Sequence, residues 1–160
     1  MLKILIPFIY AFLLLHSSHL FAAQLGLKIE SKSIKPGKIH VALYRLKVAT
    51  QSPAGWSDIE DLRKEVIDYI PNSAPSELNI TGLESGQICV RVFIDLNANQ
   101  LLDSSQIGLP LEPVGFANNP SLFSGQPSPE EGCFELMEGS NVQSIDLKQK
   151  ESKRKRRGEF

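Results

Sequence analysis

The segment ICVRVFIDLNANQLLD, residues 88–103, joins an apolar run to a polar loop and decides the fold class. From Ile88 to Ile94 every second residue is aliphatic, whereas the residues between them are Cys89, Arg91 and Phe93. Successive side chains of a strand point to opposite faces, so this pattern places one wholly apolar face in a core. The segment therefore predicts an inner β-strand that ends where the loop begins, at Asp95.

Shorter alternating runs on both sides of this segment predict further strands. They are Leu25–Ile29, Ile39–Tyr44, Leu78–Ile80, Cys133–Met137 and Val142–Leu147. Turn-forming residues such as Gly, Pro and Asn separate these runs. The chain has 160 residues, which is the size of one domain. We therefore predict a mostly β protein with a single β-sandwich of about six or seven strands.

The segment GWSDIEDLRKEVIDYIP departs from this alternation because its apolar residues recur at near-helical spacing. Ser57 followed by Glu60 also resembles a capping box at the start of a helix. We expect one short helix or turn over Ser57–Lys64 and a strand over Glu65–Ile70. Trp56 is expected to be a core residue rather than a platform for a ligand.

The first 23 residues have the layout of a secretory signal peptide. One cation, Lys3, precedes an apolar run from Ile4 to Leu15, and two alanines follow. That run is well short of the about 20 residues that a membrane-spanning helix needs. We predict cleavage after Ala22 or Ala23, a periplasmic or secreted location, and a folded domain over residues 24–147. The alternative is an uncleaved membrane anchor.

The net charge of −1 conceals an uneven distribution of charge along the chain. Residues 58–147 carry fifteen acidic residues and three basic ones, whereas residues 148–160 carry seven basic residues and two acidic ones. The tail is too polar to bury surface and is predicted to be disordered. It could contact an anionic surface or remain solvated without a partner. Nucleic acid is not expected as a partner of an exported protein.

The loop that follows the inner strand has the spacing of a linear calcium-binding loop. Oxygen-bearing side chains stand at its first, third, fifth and ninth positions: Asp95, Asn97, Asn99 and Asp103. Two positions depart from the template, since Gln100 stands where a glycine makes a sharp turn and Gln106 replaces a bidentate Glu. Either the loop is a weak calcium site, or its side chains cap backbone N–H groups in Asx turns.

A long segment rich in proline and glycine, Gly108–Gly132, follows this loop. A loop of this length inside a compact domain is usually functional or disordered. Its expected surface residues are Glu112, Phe116, Asn118 and Asn119. Because sandwich loops cluster at the ends of the sheets, we expect this segment and the Asp95–Asp103 loop to form one functional surface.

The motifs of this region resemble a family of small exported bacterial proteins catalogued as domain of unknown function 2141. The resemblance rests on a strand ending in Asp, an Asn-rich loop closing on Asp, and a G-x-P-x-E-x-x-G-F-x-N-N segment. In this chain the matching residues are Gly86, Asp95, Asn97, Asn99, Asp103, Gly108, Pro110, Glu112, Gly115, Phe116, Asn118 and Asn119. The resemblance covers roughly Lys38 to Lys148. It implies a transthyretin-like or immunoglobulin-like sandwich and an exported location, and it implies no activity. Ala98 and Gln100 stand where the family commonly has glycine.

The two cysteines of the chain, Cys89 and Cys133, both lie in predicted strands. Two cysteines in a small domain usually pair in an oxidising compartment. The alternative is a pair of separate buried thiols, which behave as small apolar residues. We predict a disulfide between them.

Support for catalysis in the sequence is thin. The expected mature chain keeps one histidine, His40, in an alternating strand, and the sequence has no nucleophile elbow, phosphate loop or histidine-rich metal cluster. We therefore predict an exported binding or structural module for an unidentified ligand or protein outside the cytoplasm. No catalytic residue is assigned, and calcium is the one candidate cofactor. A hydrolase that uses carboxylates of the two loops is the alternative.

Overall fold

The described part of the chain forms eight strands in two sheets. The computed structural model describes residues 22–46, 55–106 and 108–149. The strands are β1 (Ala23–Ser31), β2 (Gly37–Arg45), β3 (Glu60–Tyr69), β4 (Ser76–Leu83), β5 (Gly86–Asp95), β6 (Val114–Phe116), β7 (Cys133–Leu136) and β8 (Ser140–Leu147). Almost all of the expected signal peptide and of the basic tail lies outside the described residues. No helix within the described ranges is long and apolar enough to cross a membrane.

The two sheets pack their inner faces around one core. The smaller sheet has the order β4-β1-β8, and the larger has the order β3-β2-β5-β6 with β7 also paired to β5. Only the β1–β8 pair is parallel among these described pairings. Core residues come from both sheets, among them Leu25, Leu27 and Ile145 from the small sheet and Ile39 and Val41 from the large one. The predicted mostly β sandwich is therefore confirmed.

Strand β5 is the central strand that the alternation predicts. Ile88, Val90, Val92 and Ile94 are each at most 1% exposed and face the core. Burial of side chains of this size stabilises a fold by about 1.5–3 kcal/mol each. Strand β5 therefore anchors the larger sheet, and it delivers Asp95 to one end of the sandwich.

Of the short helix or turn expected over Ser57–Lys64, the helix is wrong, whereas the strand expected over Glu65–Ile70 is present as far as Tyr69. Residues 55–59 form turns and bends, and β3 then runs as a strand from Glu60 to Tyr69. It pairs with β2 along its whole length, with one register shift between Leu43 and Tyr44. The backbone of β2 pairs with β5 on one edge and with β3 on the other. This pairing outweighs the helical spacing of the apolar residues in β3. The one helix within the described residues is a 3₁₀ helix at Pro129–Gly132.

A second apolar cluster covers the outer face of the larger sheet. Trp56 is buried there, and its indole Nε1 donates a hydrogen bond to Pro127 O at 2.9 Å. The indole ring lies edge-on to Tyr44 at 5.4 Å and tilts against Phe116 at 5.0 Å. Trp56 is therefore a core residue, as predicted. The Gly108–Gly132 segment forms a layer over the sheet instead of projecting from it.

The predicted disulfide between Cys89 and Cys133 is confirmed. The two residues lie directly opposite each other on β5 and β7, with Cα atoms 3.8 Å apart. This is within the limit of about 7 Å beyond which no bridge can form. The bond ties the end of the Gly108–Gly132 segment to the central strand.

Strand β6 closes the sandwich on one side. Val114 pairs with Phe93 of β5 and, through two backbone hydrogen bonds of 2.9 and 3.0 Å, with Lys148 beyond the end of β8. Gly115 is required here because a Cβ atom would lie 2.8 Å from Asp146 O. Lys148, which we expected in the tail, is therefore part of the folded domain.

Candidate functional site

The loop from Asp95 to Asp103 is organised around one buried carboxylate. The side chain of Asp95 is 1% exposed at the end of β5. Its Oδ1 accepts hydrogen bonds from the backbone N–H of Ala98 at 2.7 Å and of Asn97 at 3.2 Å. Its Oδ2 accepts one from the N–H of Gln100 at 2.8 Å. A single side chain thus holds three backbone N–H groups of the loop.

The electrostatic environment of Asp95 keeps this carboxylate ionised. Burial raises its pKa, but backbone N–H groups of the loop, that of Gln100 foremost, outweigh burial and hold the pKa below its ordinary value. His40 lies beside it, with Nε2 3.6 Å from Oδ2. The His40 ring stacks on Phe93 with ring centroids 4.8 Å apart.

The structure brings the other predicted ligand residues together as a hydrogen-bond network. Oδ1 of Asn97 accepts the N–H of Asn99 at 3.1 Å, and Oδ1 of Asn99 accepts that of Leu101 at 2.8 Å. Their amide nitrogens donate to the carboxylate of Asp103 at 2.6 and 3.0 Å. The Asx-turn interpretation describes these contacts, because the asparagine oxygens face the backbone and their NH₂ groups face Asp103.

Two residues of this loop have left-handed backbone conformations. Ala98 has φ 62° and Gln100 has φ 65°. The calcium-loop template predicts a sharp turn at Gln100, and the turn is present. Residues other than glycine pay about 1–2 kcal/mol for this conformation.

Glu112 fastens the Asp95–Asp103 loop to the segment that follows it. Its Oε1 accepts the N–H of Leu96 at 2.8 Å, and its Oε2 accepts the N–H of Asp103 at 3.2 Å. We expected Glu112 on the loop surface, but it is 3% exposed, so that expectation is wrong. The sequence signal for its role is a lone acid within the otherwise apolar LPLEPVGF run.

The other expected surface residues also hold the fold together. Phe116 is 1% exposed and packs in the second cluster, so its expected place on the surface is wrong. Asn118 Nδ2 donates to Cys133 O at 2.7 Å. Asn119 donates to Ser144 O and accepts from Asp146 N, both at 2.8 Å, so its amide pairs with the edge of β8 as a peptide group would.

The Asp95–Asp103 loop carries two acidic side chains, Asp95 and Asp103. The described residues contain no group of three or more His, Cys, Asp or Glu side chains placed to hold a metal ion. Calcium would have to draw on the asparagine oxygens, which the backbone N–H groups already use. Calcium binding by this loop stays a prediction.

Fold and site together define a small two-sheet module with a preformed polar loop at one end. Residues 27–144 match a bacterial family described as "Uncharacterized protein conserved in bacteria" (DUF2141). The protein belongs to this family, and the predicted resemblance is confirmed. No curated protein matches the chain in sequence.

Structures of the pilus-presented adhesin Spy0125 (Cpa) are distantly similar to this chain. One has a TM-score of 0.34 and 11% sequence identity over 81% of this chain. A second has a TM-score of 0.35 and 12% identity, also over 81%. The chain spans only 28% and 27% of the length of these two structures. Likeness at this level carries no functional information.

Proposed function

We propose that the protein is an exported binding module whose recognition surface is the Asp95–Asp103 loop and the segment joined to it by Glu112. The observation that carries the proposal is the use of both buried carboxylates, Asp95 and Glu112, to hold loop backbone N–H groups. Such a loop is ordered before any ligand arrives. Binding then costs less conformational entropy, which is the general advantage of a preorganised site.

Export remains part of the proposal, and one contact bears on the cleavage site. Ala23 is fully buried in β1 and pairs with Leu83 of β4. Cleavage after Ala22 would keep this strand residue, whereas cleavage after Ala23 would remove it. We therefore infer cleavage after Ala22.

The two buried carboxylates of the described residues, Asp95 and Glu112, do not favour the hydrolase alternative. It requires carboxylates with raised pKa values that converge in a cleft. The pKa of Asp95 is instead lowered, and both of its oxygens accept backbone hydrogen bonds. Both carboxylate oxygens of Glu112 also accept backbone hydrogen bonds.

A photo-crosslinking residue at Leu101 tests the recognition surface. Leu101 lies in the loop and is 66% exposed, while Val142 on β8 is 73% exposed and serves as the matched control. In the exporting cell, the probe at Leu101 should give discrete adducts with protein or lipid of the extracytoplasmic fraction. The probe at Val142 should not give them. Identical adducts from both sites, or none from Leu101, would refute the proposed surface.

Calcium binding can be tested through the strained turn at Gln100. Gln100→Gly should stabilise the protein by about 1 kcal/mol without calcium, because glycine tolerates a positive φ. If the loop binds calcium, the ion at about ten times Kd should add about 1.4 kcal/mol, measured as a rise in Tm. Asp103→Asn, which removes one of the loop's two charges, should abolish that calcium-dependent rise. If calcium shifts Tm of neither the wild type nor Gln100→Gly, the loop is a capped turn only.

A further inference from the structure

Strand β3 is an open edge of the larger sheet. It runs for ten residues, from Glu60 to Tyr69, and β2 is its one strand neighbour within the described part of the chain. On the opposite side of the sandwich, Val114 and Lys148 join the two sheets, and the amide of Asn119 caps the edge of β8. An uncovered edge strand offers its N–H and C=O groups to another chain. A partner strand can therefore add to the fold at β3.

Backbone alternation identifies the residues of β3 that face the open edge. Ala117 N donates to Val90 O, so the even-numbered residues of β5 face away from β2 and the odd-numbered ones bond to it. The same alternation, followed through the registers of β5 with β2 and of β2 with β3, directs the odd-numbered residues of β3 towards β2. The N–H and C=O groups of Lys64, Val66 and Asp68 therefore face the open edge.

The side chains of these three residues are exposed and form a self-complementary pattern. Val66 is 53% exposed, with Lys64 and Asp68 two positions away on either side. Nζ of Lys64 lies 2.7 Å from Oδ2 of Asp61, and Asp68 forms an ion pair with Lys38. Along the edge the chain thus presents a cation, an apolar side chain and an anion, in that order.

Antiparallel pairing of two copies about a two-fold axis allows only registers in which edge-facing residues meet one another. With Val66 opposite itself, Lys64 lies opposite Asp68 of the second copy, and the symmetric pair repeats this contact. An axis centred on Glu65 or on Lys64 would place like charges opposite each other. An axis centred on Ile67 would leave no pair of opposite charges. The charge pattern therefore favours the register centred on Val66.

We propose that the protein forms a two-fold dimer in which β3 pairs antiparallel with β3 of a second copy, centred on Val66. The larger sheets of the two molecules then form one continuous sheet. Across its outer face the charges alternate in sign: Lys38 and Asp68 of one copy are followed by Lys64 and Asp61 of the other. This inference goes beyond the proposed recognition surface and does not depend on it.

The charged residues on the inner face of β3 are compatible with this register. Nε of Arg63 lies 2.6 Å from Oε1 of Glu65, so the two side chains neutralise each other within one chain. In the dimer they lie opposite Tyr69 and Ile67 of the second copy. Inward-pointing charges protect an edge strand against indiscriminate pairing. Here they act against the register centred on Glu65, in which the two Glu65 carboxylates would meet.

Sedimentation velocity of the exported protein over a series of concentrations tests the dimer. Wild type should show a monomer–dimer equilibrium. Lys64→Glu alone, or Asp68→Lys alone, places like charges opposite each other at two symmetry-related positions. Each should weaken dimerisation by on the order of tenfold. The double variant Lys64→Glu, Asp68→Lys restores opposite charges in this register and should dimerise again.

Val66→Cys gives a second test that does not depend on charge. Both natural cysteines are joined in the disulfide, so the introduced thiol is the one free thiol of the chain. Directly opposite residues of paired strands have Cα atoms about 5.5 Å apart, which a disulfide can span. Mild oxidation should therefore give a covalent dimer on a non-reducing gel. Val142→Cys is the matched control, since Val142 is 73% exposed on β8, and it should stay monomeric.

Three results would overturn the proposal. The first is a wild type that stays monomeric up to about 1 mM, where even a weak complex forms. The second is a double charge variant that dimerises no better than the single variants, because another register or another strand would then make the contact. The third is equal oxidation of Val66→Cys and Val142→Cys to dimers, which would indicate random collision.

Discussion

Reduction of the Cys89–Cys133 disulfide is expected to lower the free energy of unfolding by about 4 kcal/mol. The two cysteines are 44 residues apart, and opening this loop restores chain entropy to the unfolded state. A loss of this size should lower Tm by roughly 12–20 °C in a domain of this length. Urea unfolding with and without reductant measures the difference, with the fluorescence of Trp56, the single tryptophan, as the signal.

The Cys89→Ala, Cys133→Ala double variant separates the effect of losing the disulfide from any other effect of the reductant on stability. Both side chains are buried, so alanine creates a small cavity but leaves no unpaired polar group. Its unfolding midpoint should be close to that of the reduced wild type and should not respond to reductant. Equal midpoints for oxidised and reduced wild type would show that the bridge contributes nothing to stability.

Asp95→Ala is expected to lower the free energy of unfolding by about 3 kcal/mol. The substitution leaves the N–H groups of Asn97, Ala98 and Gln100 without their acceptor. An unsatisfied buried donor costs about 1–3 kcal/mol, and water can reach part of this loop once it loosens. Urea unfolding again measures the change. Asp103→Ala is the matched control and should cost less than about 1 kcal/mol, because water can replace Asp103 as partner of the asparagine amides.

The same carboxylate makes stability depend on pH. The pKa of Asp95 in the folded protein lies below its ordinary value of 3.8. The stabilisation that the ionised carboxylate provides is therefore complete above pH 3.8, and it is lost as pH falls through the folded-state pKa. The stability difference between wild type and Asp95→Asn should therefore be constant from about pH 5 to 7 and should narrow below pH 3.8. A difference that stays constant down to pH 2, about the lowest practical value, would contradict this role of Asp95.

The fold class could be predicted because strand alternation is a local property. Ile88 to Ile94 and Leu25 to Ile29 carry their two-residue period in the sequence itself, and both became buried strands. The residues from Glu60 to Lys64 misled because their local spacing favours a helix, whereas the strand predicted over Glu65–Ile70 is present as far as Tyr69. The strand conformation of β3 depends on pairing with β2, the preceding strand, whose paired residues lie 15 to 32 positions earlier in the chain.

The candidate site was predicted only in part for the same reason. Asn97 bonds to both Asp95 and Asp103, and Asn99 bonds to Asp103, so the spacing of these residues was enough to group them. Glu112 reaches back 16 residues to Leu96, and no local pattern indicates a contact of that length.

The sequence by itself determined the central strand, the polar loop that ends it, the family and the pairing of two cysteines. The first three depend on the order of neighbouring residues, and the cysteine pairing follows because the chain has only two cysteines. Tertiary structure alone decided that Phe116 and Glu112 are buried and that Asn119 pairs with β8. Burial and long-range hydrogen bonds depend on which strands meet across the sandwich, and that arrangement is set by the whole core at once.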